Sequence, residues 1–446
     1  MKLPAAIWVG YCLMAVSLAA AVLFTGGVYP DSWEWSALAA SLGSILCVLA
    51  GPKVPKARGG FILLALLLGW MVLSLAPLPP VLVEHVFPAR WSAVAAARQI
   101  TGQNTGGWLA LSLAPAATLE RLLDVVPALA VFVAVREMGW WWRDRVWIAA
   151  APVMIVAWCE SVLGLVQFGM MRAAGGDVAS ATGTYVNRNH FAGLLEMAFP
   201  LAVAGAFAAW RKGAALRKGA ASRSAVLLSA LLLGAAGCLL AGVVVSLSRM
   251  GFVATALTAL VIMPMLVVAG SSRLRWLVPL AALLCILLLL PTKELKQRFA
   301  YTAANEEVNT DTRVAIWRDT LQLVSAHKWS GTGLGTYERG LYAYKTTKPT
   351  NTLDFAHNDY LQILAELGIA GWLPAAALAV WILWRPVRIA LWHRSAGNYE
   401  LAVGLLGALL ALGLHSLTDF NLYIPANALA LAWLAGLAVS PGLLED

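Results

Sequence analysis

The feature that most limits this chain is a recurring apolar run of about twenty residues, bounded each time by charges or by Pro/Gly-rich breaks. A helix needs about 20 consecutive apolar residues to cross a bilayer, since each residue advances it by about 1.5 Å. Such runs recur along the 446 residues. With 60% hydrophobic residues, 12% charged residues and a mean hydropathy of +0.75, the chain carries roughly half the charge of a soluble domain. That balance excludes an ordinary cytosolic enzyme, a disordered chain and a disulfide-stapled secreted module. The expected fold class is an all-α polytopic membrane protein.

Twelve spans are predicted, near 5–24, 33–51, 60–80, 118–136, 146–171, 189–210, 225–247, 250–270, 274–291, 359–383, 398–418 and 421–441. Lys2 and the small-residue run Ala19-Ala20-Ala21 give the first span a likeness to a signal peptide, but its length and the topology favour a retained helix. No repeat divides the chain into related halves. Cys12, Cys47, Cys159, Cys238 and Cys285 lie inside apolar runs without CxxC spacing, as buried thiols do.

The cations set the orientation. If the N-terminus is cytoplasmic, the inner connections carry Lys2, then Lys53, Lys56 and Arg58, then Arg136, Arg143 and Arg145. Further along they carry Arg211, Lys212, Arg217, Lys218 and Arg223, then Arg273 and Arg275, then Arg385, Arg388 and Arg394. The short outer connections hold only Arg90, Arg98, Arg172, Arg188 and Arg249. This is the positive-inside pattern, and it predicts both termini in the cytoplasm. One connection is not short. Residues 292–358 form a long outer loop, expected to be partly helical, between spans nine and ten. Long structured loops are usually functional, so the chemistry is expected there. The expected organisation is therefore spans one to nine over 1–291, the loop over 292–358, and spans ten to twelve over 359–446.

Within the loop, 311–328 (DTRVAIWRDTLQLVSAHK) reads as an amphipathic helix with Val314, Trp317, Leu321 and Val324 on one stripe. Arg313 shares a face with Trp317, and Arg318 lies about 100° round from it. The three glycines of Gly331-Thr-Gly-Leu-Gly335-Thr-Tyr337 suggest a permissive turn, without the Lys and Ser/Thr of a P-loop. At the entrance to span ten stand His357, Asn358 and Asp359, with Glu366 further in. A positive helix end disfavours imidazolium, which leaves His357 able to accept a proton, with Asp359 or Glu366 free to orient its ring. The plainer alternative is a capping histidine. Two further outer sites add cations, Asn187-Arg188-Asn189-His190 before span six and Ser248-Arg249 between spans seven and eight. Arg188, Arg249, Arg313 and Arg318 could converge on a diphosphate, for which guanidinium is the best-matched side chain; the simpler roles are lipid snorkelling for Arg188 and Arg249 and solvated arginines on a packing helix for Arg313 and Arg318. Inside the spans, Arg121 with Asp124 reads as an ion pair, and Glu160, Glu196 and Asp419 are weaker candidates. His85, His327, His393 and His415 show no motif that points to chemistry.

These residues resemble the O-antigen ligase family of bacterial inner membranes, together with the O-antigen polymerases and protein O-oligosaccharyltransferases. The resemblance rests on GTYVNRNHFAG at 183–193, SRMG at 248–251, R-x-x-x-W at 313–317, GTGLGTY at 331–337, HNDYLQILAELGIAG at 357–371 and LTDFNLYIPANALALAWL at 417–434. It implies a GT-C-like fold and metal-independent transfer of a glycan from an undecaprenyl diphosphate donor to the lipid A-core oligosaccharide, on the periplasmic face of the inner membrane. It also implies an essential histidine at His357 and an essential arginine at Arg313, with Arg318 as its rival. Arg188, Arg249, Arg318, Asn187, Asn358 and Tyr337 are the expected substrate contacts, with Asp359 and Glu366 in support. No cofactor, no metal and no nucleic acid are expected; membrane lipids are. The same motifs fit a polymerase or a protein O-oligosaccharyltransferase, although the lack of a large extra C-terminal domain favours the ligase. A twelve-helix transporter or flippase is the alternative of another class, and the concentration of polar residues at one face argues against it.

Overall fold

The structure is a computed structural model, and it describes residues 4–55, 57–102, 107–174, 180–216, 219–268, 310–346, 352–393 and 397–443. Among these residues the chain forms α1 (Ala5–Leu23), α2 (Pro30–Ala50), α3 (Arg58–Leu73), α4 (Pro80–Val86), α5 (Pro88–Thr101), α6 (Pro115–Trp141), α7 (Trp147–Ala173) and α8 (Arg188–Ala215). There follow α9 (Ala220–Val245), α10 (Arg249–Val268), α11 (Thr310–Ala326), α12 (Tyr337–Leu341), α13 (Asp359–Trp392), α14 (Tyr399–His415) and α15 (Pro425–Ala438). One small antiparallel pair joins β1 (Pro77–Leu78) to β2 (Leu109–Ala110). The protein is an all-α polytopic membrane protein. Seven of these helices are long and apolar enough to cross a membrane, and α3, α14 and α15 are shorter apolar helices. Charges near both ends of α6, Glu120, Arg121 and Asp124 at one and Arg136 and Glu137 at the other, set it apart from the apolar helices. The expected span 274–291, Cys285 and loop residues 292–309 lie outside the described residues. The connection 74–114 holds two short helices and the β pair, which hydropathy alone does not signal.

At the centre, α8 is enclosed nearly all round by α9, α14, α7 and α10. Its small residues let neighbours come close: Gly404 faces Ala204, and Gly407 faces Pro200. The α1–α2 hairpin crosses where Gly10 and Gly43 stand backbone to backbone. The outward faces of these helices carry exposed Val16, Leu38, Leu49, Leu66 and Leu231, as a lipid-facing surface requires.

The interhelical connections at one end of the bundle contact one another. Thr184 donates to the carbonyl of Val22 at 2.7 Å, Tyr185 donates to Asn427 at 2.9 Å, and Gly27 lies against Pro425. At this end α13 is broken. Gly368 adopts φ 61°, ψ −174°, a conformation open essentially to glycine alone, so the helix runs as two segments. The segment 328–333 fills the break and satisfies the freed backbone groups. Thr332 and Gly333 N–H donate to the carbonyls of Ala365 and Glu366 (3.0 and 2.8 Å), and Ile369 and Ala370 N–H donate to those of Lys328 and Trp329 (2.9 and 3.3 Å). The Trp70 indole donates to Leu367 at 2.9 Å, and Leu113 N–H to Thr332 at 2.7 Å. No helix interior can leave such groups bare in hydrocarbon.

Candidate active site

Three histidines from distant parts of the chain meet at one carboxylate. Asp419 stands in the short connection between α14 and α15 and is 1% exposed. Its Oδ1 lies 3.6 Å from Nε2 of His190, on the first turn of α8, and 3.8 Å from Nδ1 of His357, just before α13. Its Oδ2 lies 3.8 Å from Nε2 of His415, the last residue of α14. These are charge contacts longer than ordinary hydrogen bonds, and the three facing ring nitrogens have no hydrogen-bond partner. The rings of His190 and His357 both meet Phe420 edge-on, with centroids at 4.7 and 5.0 Å, and Phe355 stacks on Phe420 at 4.0 Å. Burial pushes the Asp419 carboxyl up, but the facing imidazoles outweigh it and hold the group well below the usual carboxylate range. It is therefore ionised at neutral pH. Since Nδ1 of His357 faces this carboxylate, Nε2 is the nitrogen left to meet a substrate. The His357 side chain is 35% exposed, whereas His190 is almost fully enclosed.

The backbone around the cluster is constrained. His357 has φ 49°, and Leu247 and Thr25, in two other connections at this end, have φ 54° and 59°. Left-handed conformations in non-glycine residues concentrate at functional sites. Three helices also begin here. Arg188 opens α8, Arg249 opens α10 and Asp359 opens α13, and the first turns of α8 and α10 touch at Ala192 and Gly251. Helix N-termini and arginines both favour an anion.

Arg313 and Arg318 differ in position. Arg313 is half-buried on α11 within electrostatic reach of His415, and Arg318 is exposed. Trp317, one turn after Arg313, donates its indole N–H to the carbonyl of Ala356 at 3.0 Å and so ties α11 to the residue before His357. The buried face of α11 is Ile316, Asp319, Thr320 and Leu323. Of the stripe, Val314 and Leu321 are exposed while Trp317 and Val324 are part-buried, and Asp319 is drawn in to accept from Thr346 N–H and hydroxyl at 2.9 and 2.6 Å.

Several expected contacts hold the scaffold. Asn187 and Asn358 are N-caps, accepting from Asn189 N–H at 2.9 Å and Leu361 N–H at 3.0 Å. Tyr337 is 1% exposed, and its hydroxyl shares a 2.6 Å hydrogen bond with Thr320. Neither Asp359 nor Glu366 meets the His357 ring. Asp359 accepts from Leu422 N–H at 3.3 Å, and its own N–H donates to the carbonyls of Ser416 and Asp419. Glu366 accepts from Gly335 N–H at 2.8 Å and the Tyr423 hydroxyl at 2.7 Å, so it anchors the glycine turn. Glu160 accepts from Thr184, and the Arg121–Asp124 pair stands at 3.4 Å with Arg121 over the Tyr423 ring.

His415 was not signalled by sequence, His190 stood inside a quoted motif without being singled out, and Asp419 was signalled only weakly. The one local cue was the i, i+4 spacing of His415 and Asp419 at the end of a span. Among the described residues, no group of three or more His, Cys, Asp or Glu is arranged to hold a metal ion. The chain matches no curated protein. A family model described as O-Antigen ligase matches residues 234–376, which include Arg249, Arg313, His357 and Glu366.

Proposed function

We propose that this chain, which carries an O-antigen ligase family domain over residues 234–376, transfers a glycan from a polyprenyl (undecaprenyl) diphosphate to the lipid A-core oligosaccharide on the periplasmic face of the inner membrane. The observation that carries this is the part-exposed His357 ring on buried Asp419, at the end of the bundle where α8, α10 and α13 begin, with Arg188 and Arg249 opening two of those helices and Arg313 within electrostatic reach of His415. His357 Nε2 takes the proton of the acceptor hydroxyl, and Asp419 at Nδ1 fixes the tautomer and the ring. The hydroxyl oxygen then attacks the anomeric carbon in line, the glycosidic C–O bond to phosphate breaks, and the configuration inverts. The diphosphate leaves with its electron pair. Its charge is met by the arginines and by helix N–H groups, so the leaving group needs no proton from the protein.

The test is transfer by purified protein from a diphosphate-linked donor to three acceptors: lipid A-core, a growing glycan and a serine peptide. His357→Ala is expected to abolish transfer and leave donor binding nearly intact. Wild-type turnover in that variant removes the base. Preference for the growing glycan or the peptide converts the assignment to polymerase or protein O-oligosaccharyltransferase.

A further inference from the structure

Behind Asp419 lies a second ionic contact that the proposed transfer does not use. His415 places Nδ1 at 3.0 and 3.1 Å from the two carboxylate oxygens of Glu196 on α8, while its Nε2 faces Oδ2 of Asp419 at 3.8 Å. All three side chains are at most 1% exposed. Ionised carboxylates only accept, and a neutral imidazole has a single N–H, so with both carboxylates ionised a neutral ring can donate to only one of them. A neutral His415 that donates to Glu196 would therefore turn a lone pair toward Asp419. A buried carboxylate facing a lone pair is costly, and a second proton on the ring relieves both contacts at once. The other charged or titratable groups around Asp419 are His190 on α8, His357 before α13, Asp359 on α13, and Arg313 on α11, which reaches His415.

We infer that His415 is held as an imidazolium between Glu196 and Asp419, and that this buried cation sets how strongly Asp419 draws on the His357 ring. His415 and Glu196 are thereby positioning residues for the proposed base, a role that rests on His357 being that base. A proton count follows. The acceptor proton goes to Nε2 of His357, and the Nδ1 proton stays toward Asp419. His415 already carries two N–H groups and cannot take a third proton. The inward route is closed, and the proton leaves through the exposed side of His357.

Two measurements on the full chain in lipid nanodiscs test this. The first is nitrogen NMR of histidine-labelled protein without substrate, which stands apart from any transfer assay. At neutral pH one ring with both nitrogens protonated is expected in the wild type and absent in His415→Gln. Where His415→Gln does not accumulate, Glu196→Gln keeps an acceptor for Nδ1, removes one counter-charge, and weakens the same signal. A neutral tautomer at His415 overturns the inference. The second is the pH profile of kcat/KM. Loss of the cation leaves the charge of Asp419 uncompensated at the proposed base, so the rising limb in His415→Gln is expected to move to higher pH. A lower rate with an unmoved limb means a merely structural role and also overturns it.

Discussion

Asp419→Asn keeps the shape of a side chain that three imidazoles face and removes only its charge. Oδ1 is 3.8 Å from Nδ1 of His357, a separation at which a unit charge pair is worth about 4 kcal/mol at an effective dielectric constant of about 20. The His357 side chain is 35% exposed, so solvent screening reduces that contact to about 1–2 kcal/mol. The expected loss in kcat/KM is therefore about 5–30-fold. The direction of the pH effect follows from the sign of the lost charge. A negative neighbour favours imidazolium, so its loss is expected to move the rising limb of the rate profile to the acid side while the plateau falls. Asp419 itself stays ionised and contributes no titration at neutral pH. The assay is the initial rate of glycan transfer by purified protein from about pH 5 to about pH 9, the range in which imidazoles titrate. A variant whose rate stays within about twofold and whose limb does not move would refute the role of Asp419.

Three further outcomes are expected. Gly368→Ala forces a side chain into φ 61°, ψ −174° against the backbone of Trp329 and Gly331; the strain alone is about 1–3 kcal/mol, and a thermal melt with limited proteolysis of 328–335 should report it. Arg313→Ala should weaken diphosphate binding by about 10–100-fold and slow turnover, whereas Arg318→Ala should change both by less than about threefold; donor titration separates them. Glu366→Gln removes the charge that receives the Tyr423 hydroxyl and Gly335 N–H, at a cost of about 1–3 kcal/mol, read as a lower unfolding temperature and a fall in transfer.

The spans were legible because a bilayer imposes one length and one polarity on every crossing segment, and Lys and Arg mark the connections. His357 stood out because it sits among polar groups at a helix entrance. What the sequence did not disclose depends on contacts between distant segments. Asp419 lies 62 positions beyond His357, and His190 reaches the same oxygen from the sixth span, a convergence that no local spacing encodes. Asp359 and Glu366, near His357 in sequence, turn to other partners because a helix carries them down and round from the ring. The buried face of α11 was not legible for a related reason: Asp319 is pulled inward by Thr346, and polarity alone places an aspartate outside.

The break at Gly368 bears on how the protein is built. The crossing segment 328–333 emerges from the ribosome before the helix whose gap it fills. Until the two meet, the carbonyls of Ala365, Glu366 and Leu367 and the amides of Ile369 and Ala370 have no partner, each a penalty of several kcal/mol in lipid. On its own α13 therefore leaves these groups bare, and it is the docking of 328–333 that lets its two segments share one crossing of the bilayer.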